Sequence, residues 1–572
     1  MKKLLLITLV LMLALVGITN AQSADDLAAL AEYAPEDALF FAAIRTDAGF
    51  VENLDGLLNS LNERAGGVLP EGVNAQALLD LVVGGLTGGL SFSENVRPWL
   101  GDSAALVVPT VDALNTAAGP LVLVAEVTDF ETAQTFLGNV TSAEVGVLSA
   151  YEGEVQTDGS VVYTSEFSSD PTIILTESVV YYGDVEAALP AMLLPGADAR
   201  SLNQNDAFTA IRSNLPAESY NAFVYIDAAG IYEDALPLLA PQIEQEMQNQ
   251  GVPFDMSTLE EIAPLLGQQG LGFTIVQGRA FVMDYAQTGE IVTFPEPLDL
   301  SLLERVPATA PLIIQGQGIG EAINSLFDAL DMLEQFLVES DVLPISELED
   351  LPFLANLGPT DLGTFIRLSV EGTYGIDLDE TLAWMSRDFI TYISLPLTEE
   401  SPLGVWLGSG TLIATDNPEA AAALVEGQAA LAQNAFSATT FEDGVLTVPL
   451  GALISMPDTF SVSITATDSF YASGTTDAVA YSLEPDGPNI TESAGYAFES
   501  SLFLNDPTTL FYVDIEPLRA AFEAIVATQG ESISEEDASN VRLLLSLLDT
   551  ASITFANGDG ASMARFTLTL SE

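Results

Sequence analysis

Beyond its third residue the chain contains no lysine, and it contains no histidine or cysteine anywhere. These absences remove most familiar site chemistry. A Ser-His-Asp triad, a thiolate nucleophile, a Schiff-base lysine and a P-loop lysine are all excluded, as are zinc and copper sites built on imidazole or thiolate. Stability has to come from core size rather than disulfides. Aspartic-protease triplets of the Asp-Thr-Gly or Asp-Ser-Gly kind are missing as well.

The two lysines, Lys2 and Lys3, begin an N-terminus that reads as a secretory signal. The run Leu4 to Ile18 carries no charge, and Thr19-Asn20-Ala21 offers a small residue before a cut. The run falls short of the ~20 residues of a spanning helix, so cleavage is expected over a retained anchor. No cysteine follows it, which excludes a lipoprotein. The expected divisions are a signal over 1–21, a first half over 22–296 and a second half over 297–572, with the product exported to the periplasm, cell surface or medium.

What remains after residue 21 has twelve arginines against 82 acids, a net charge of 12 − 82 = −70. The imbalance arises from missing bases, because charged residues make up only 17% of the chain, below the ~25% usual for globular proteins. Such a charge repels nucleic acid and anionic membrane surfaces. Cations or basic proteins are the natural electrostatic partners. Salt adaptation is compatible with this composition and not required by it. A hydrophobic content of 48% argues for a folded chain.

Comparing the chain with itself reveals a repeat of about 285 residues. Trp99-Leu100 precedes the strand-like Ala104 to Val108, and Trp384-Met385 precedes Phe389 to Ile393, with 384 − 99 = 285. Pro35 stands before Leu39-Phe40-Phe41 as Pro307 stands before Leu312-Ile313-Ile314. Strand Leu121 to Val127 runs into Thr128-Asp129-Phe130-Glu131, read as a capping box, and strand Thr411 to Ala414 runs into Asp416-Asn417-Pro418-Glu419. Phe223 to Asp227 matches Leu510 to Asp514. Phe294-Pro295-Glu296-Pro297 marks the boundary.

Amphipathic helices are expected from Phe50, Val51, Leu54, Leu57, Leu58 and Leu61, and from Ile319, Ile323, Leu326, Phe327, Leu330, Leu333, Phe336 and Leu337, each burying a stripe. Turns Gln277-Gly278-Arg279 and Asn557-Gly558-Asp559-Gly560 separate strand pairs. The expected class is α+β, with two homologous halves, each mainly antiparallel sheet with packed amphipathic helices.

Motifs that could carry chemistry have simpler structural readings. Gly316-Gln317-Gly318-Ile319-Gly320 sits where a dinucleotide fingerprint would, but Glu321 occupies the third glycine position, so a strand-to-helix turn is expected. Asp377, Asp379 and Glu380 could ligate Ca²⁺, yet they stand at a helix start, where acids are favoured. Asn139-Val140-Thr141 and Asn489-Ile490-Thr491 fit the glycosylation sequon. No catalytic, cofactor-binding or metal-binding residue is nominated, and no cofactor is called for.

Three segments carry a family resemblance: Tyr33-Ala34-Pro35-Glu36-Asp37-Ala38-Leu39-Phe40-Phe41, then Val96-Arg97-Pro98-Trp99-Leu100-Gly101, then Ser201-Leu202-Asn203 with Phe208, Leu215-Pro216 and Tyr225-Ile226-Asp227. They resemble the exported bacterial family catalogued as domain of unknown function 3352. The resemblance implies export and a duplicated α+β architecture, and it transfers no activity. The second half departs from it in two places: Met385-Ser386 stands for Leu100-Gly101, and the Ser-Leu-Asn element is not evident. The leading expectation is a non-enzymatic binding or envelope-associated protein. Alternatives are a carrier of lipid or other apolar ligand in a groove between the halves, and a carboxylate-dependent glycan hydrolase.

Overall fold

A computed structural model describes residues 27–47, 49, 51, 55–56, 74, 76–77, 79–81, 90–109, 122–142, 151–165, 171–183, 200–217, 220–236, 240, 266–289, 296–327, 362–398, 401, 403–436, 438–449, 460–529 and 533–571. The signal segment, most of the first predicted helix and Leu330 to Leu337 lie outside them. No helix among the described residues is long and apolar enough to cross a membrane.

The chain forms two compact units. One comprises Met1–Glu246, Asp255–Thr293 and Asn557–Glu572, and the other Met247–Phe254 and Phe294–Ala556. The first ten strands are β1 (Phe40–Arg45), β2 (Leu100–Val108), β3 (Val122–Val127), β4 (Tyr151–Val155), β5 (Val161–Ser165), β6 (Thr172–Leu175), β7 (Val179–Gly183), β8 (Ala222–Ile226), β9 (Gln269–Val276) and β10 (Ala280–Gln287). They pair antiparallel in the order β4-β5-β6-β7-β3-β2-β1-β8-β9-β10.

The second unit contains β11 (Leu312–Gly316), β12 (Phe389–Ser394), β13 (Gly408–Ala414), β14 (Thr440–Glu442), β15 (Val445–Pro449), β16 (Ser461–Ala466), β17 (Phe470–Thr475), β18 (Thr509–Asp514) and β19 (Leu548–Asn557). Their order is β14-β15-β16-β17-β13-β12-β11-β18-β19, again antiparallel throughout. The chain then returns to the first unit, where β20 (Ser562–Leu570) pairs with β10. The class is therefore α+β with antiparallel sheet.

Strand alternation puts one side of each ladder inward. In the first unit Phe41, Phe223 and Tyr225 point to a core closed by Leu202 and Phe208, and the Phe208 ring stands edge-on to Phe41, Phe223 and Tyr225 at centroid distances of 5.8, 5.8 and 5.1 Å. Trp99 belongs to a second cluster with Ala133 and Leu137 of the helix Phe130–Ser142. In the second unit Ile313, Tyr392, Leu510 and Tyr512 form one core, while Trp384 packs with Ala421 and Val425 of the helix Pro418–Ala435.

Helix starts follow local chemistry, with a correction at the first. The helix after β3 is capped by Asp129, whose Oδ1 accepts from the Thr132 amide at 3.0 Å. Thr128, read as the cap, instead bonds the Trp99 carbonyl through its amide and hydroxyl. The later helix starts as read: Asn417 Oδ1 accepts from the Ala420 amide at 3.1 Å, with Pro418 in the first turn. The stripe of the helix at 319–327 is a further correction. Ile319 packs against the core, but Leu326 is 58% exposed.

Arginines hold helix ends. Arg305 Nη1 donates to the carbonyls of Ser482 and Leu483 at 2.9 and 3.1 Å, at the end of the helix Thr476–Leu483, and its guanidinium lies 4.6 Å from the Phe470 ring centroid. Arg519 Nη2 donates to Leu545 O and Leu548 O at 3.0 and 3.1 Å. A cation at a helix C-terminus meets the negative end of the dipole. Replacing Arg305 by Met should lower the unfolding free energy by about 1–2 kcal/mol. The measurement is the urea midpoint, and an unchanged midpoint would show that the carbonyl contacts add no net stability.

Candidate functional site

The sequence nominates no site, so the candidates are the polar groups that the fold buries. The first is an ion pair in the first unit. Asp284 of β10 is fully buried. Its Oδ1 accepts from Arg565 Nε at 2.6 Å, and its Oδ2 accepts from Arg565 Nη2 at 2.9 Å and from the Tyr220 hydroxyl at 2.5 Å. Burial, then the Asp284 charge, push the Tyr220 phenol well above its usual range. Burial alone would lower the Arg565 pKa, and the hydrogen bond and charge of Asp284 outweigh it, leaving it raised. The result is a charged, bidentate pair enclosed in protein.

The second candidate is a polar row across β2, β1 and the start of β8. Arg45 faces Ser103 in the β1–β2 register, and its amide donates to Asn221 O. All three point toward the core side, in step with Phe41 and Ala43. Arg45 is 5% exposed, Ser103 1% and Asn221 0%. Arg45 Nε and Nη2 each lie 2.5 Å from Asp47 Oδ2, whereas Arg45 Nη1, the Ser103 hydroxyl and both polar atoms of the Asn221 amide make no hydrogen bond. A buried polar group without a partner costs about 1–3 kcal/mol.

The family-like segments meet around this row. Arg97 Nη1 donates to Thr46 O at 2.9 Å, and Thr46 Oγ1 donates to Gly101 O at 2.6 Å. A register shift in β2 lets the amides of Asp102 and Ser103 converge on Glu126 Oε2 at 2.9 and 3.2 Å. A Cβ at position 101 would run into the Glu126 side chain, which accounts for glycine after Trp99-Leu100. Pro35 forms a bridge with Ser201, and the Leu202 amide donates to Ala34 O at 2.9 Å. These segments are structural seams.

The third candidate is acidic. In the second unit Glu499 is 0% exposed and accepts from the hydroxyls of Thr550 and Ser552, each at 2.7 Å. Asp514, 3% exposed, accepts from the Glu516 amide at 3.0 Å, the Ser493 hydroxyl at 3.3 Å and the Tyr512 hydroxyl at 3.4 Å. Burial raises the Asp514 pKa. Both carboxylates are held by neutral donors.

The motifs weighed from sequence resolve into turns and caps. Gly320 lies against the Leu382 carbonyl where a side chain has no room, and Gly318 has φ +80°. Asp377 caps the helix Leu378–Trp384 by accepting from the Glu380 amide at 3.1 Å, and Asp379 pairs with Arg367. Asn489 Oδ1 accepts from the Thr491 amide and hydroxyl at 3.0 and 2.6 Å, and Pro307 bridges to Asn489 as Pro35 bridges to Ser201. Asn489 thus takes the bridge position beside Pro307 that Ser201 takes beside Pro35. Among the described residues no group of three or more Asp or Glu is placed to hold a metal ion.

Fold and seams together define an antiparallel α+β protein in which one strand order occurs twice. A family model described as "Protein of unknown function (DUF3352)" matches residues 3–336, more than half of the sequence. The chain belongs to that family. No curated protein and no solved structure matches it.

Two measurements probe these centres. Ser103→Ala removes a buried hydroxyl that has no partner, so it should raise stability by about 1 kcal/mol. A comparable loss in denaturant titration would mean that the hydroxyl is bonded. For Asp514 the folded pKa lies above the unfolded value, so its stabilising proton is fully bound below the unfolded pKa and is lost as pH rises through the folded one. Unfolding free energy should therefore fall as pH rises above the ordinary carboxylate range, and more steeply in the parent than in Asp514→Asn. Identical slopes would count against it.

Proposed function

We propose that the protein is an exported, non-enzymatic binding protein built from two homologous halves, and that the outward face of β9, β10 and β20 takes apolar ligands lacking negative charge. The observation that carries this reading is an array of aligned side chains opposite the Asp284 side of the sheet. Ile275, Phe281 and Leu568 form one row, Phe273, Met283 and Phe566 the next, and Leu271, Tyr285 and Ala564 a third. Eight of the nine are only half-buried, and Ile275 is 5% exposed. Such partly accessible apolar rows are a candidate binding face, and Met and aromatic side chains adapt to varied apolar shapes.

Charge selects the ligand. None of the nine positions is ionisable at neutral pH, and Arg565 points to the opposite face, engaged with Asp284. An anionic headgroup would find no counter-charge on a chain of net charge −68. Homology of the halves is supported by the repeated strand order, the matching positions of Trp99 and Trp384, and the paired bridges of Pro35 and Pro307. Export is supported by Lys2-Lys3 and the uncharged run after them.

Fluorescence titration of the purified protein with the neutral dye Nile red should show saturable binding, with the anionic dye 1-anilinonaphthalene-8-sulfonate binding at least about tenfold more weakly. Met283→Glu should weaken Nile red binding at least about tenfold by placing a charge in the array. Equal binding by Met283→Glu, with the fold verified by circular dichroism, would remove this face as the site.

A further inference from the structure

The last segment of the chain completes the first unit. Residues 557–572 belong to that unit, although the strand before them belongs to the other. Three independent ties hold the segment. Eight residue pairs align β20 with β10, from Ala280↔Thr569 to Gln287↔Ser562. The turn before β20 is clasped by Asn214, at the end of the helix Asp206–Asn214, whose Nδ2 donates to Asp559 O at 3.1 Å and whose Oδ1 accepts from the Asp559 amide at 2.9 Å. Arg565 neutralises Asp284, and it is the arginine in contact with that carboxylate. Thr567 and Thr569 are fully buried beside it.

Without β20, three things happen to the first unit at once. β10 becomes an open edge with unpaired amides and carbonyls. Asp284 keeps only a tyrosine hydroxyl, so a charge is stranded in an apolar core. The rows of the outward face lose Ala564, Phe566 and Leu568. We infer that β20 is a folding strap: the first unit reaches its closed state only when this distant segment docks, so the earlier part of the unit stays open until residues 562–570 are delivered. This inference stands on the ladder and the ion pair and does not depend on what the outward face binds.

Hydrogen exchange read by mass spectrometry on the full chain tests it. In Arg565→Gln, amides of β8, β9 and β10 should exchange about 100-fold faster or more, because an unpaired buried charge opens the whole unit. Amides of β11, β12 and β13 should keep their protection. The double variant Asp284→Asn with Arg565→Gln removes both charges and should recover most of the lost protection. Asn214→Ala, a milder lesion in the turn clasp, should speed exchange in β20 and β10 together by about tenfold, corresponding to one or two lost hydrogen bonds. Faster exchange confined to β20 in both Arg565→Gln and Asn214→Ala would overturn the inference. So would equal loss of protection in the second unit, or failure of the double variant to recover.

Discussion

Positive charge is scarce in this chain, and the fold places most of it against a specific oxygen. Nine arginines have identified partners: Arg45 with Asp47, Arg97 with Thr46 O, Arg200 with Glu36, Arg305 with Ser482 O and Leu483 O, Arg367 with Asp379, Arg387 with Asp416, Arg519 with Leu545 O and Leu548 O, Arg542 with Glu523, and Arg565 with Asp284. The pair at Asp284 matters most, because it is enclosed. A surface pair such as Arg387–Asp416 contributes at most about 1 kcal/mol, whereas breaking a buried pair leaves a charge that nothing else neutralises.

This scarcity also shapes how carboxylates are buried. Asp284 receives a guanidinium, whereas Glu499 accepts from the Thr550 and Ser552 hydroxyls and Asp514 accepts from hydroxyls and an amide. The two units thus solve the same problem differently. One pairs a buried acid with an arginine drawn from a distant part of the chain. The other holds Asp514 with neutral donors, where desolvation works against ionisation and raises its pKa.

Much of the local structure was legible in the sequence. Asn417-Pro418 announces a helix start because only a few residues satisfy free amides there, and Gln277-Gly278 announces a turn because positive φ is needed, with φ of 53° and 67° found. The order of strands was not legible. Alternation tells which face a side chain takes and says nothing about which strand lies alongside. Nothing in Ser562 to Leu570 marks β10 as its neighbour, 275 or more residues away in sequence. The buried polar row was hidden for another reason: Ser103 and Asn221 read as surface residues, and only the packing of three strands reveals that they are enclosed. Thr128 and Asp129 were both plausible caps, and the Trp99 carbonyl decided between them.

The engagement of the arginines bears on resistance to proteolysis. Trypsin-like proteases cleave after lysine or arginine, and the lysines of this chain stop at position 3. To present Arg45, Arg305 or Arg565 to such an enzyme, the chain would first have to withdraw the guanidinium from its partner and unravel the strand or helix junction that holds it. Cleavage at those points is then limited by how often the fold opens, and the contacts that anchor the helices and sheets also guard the peptide bonds beside them.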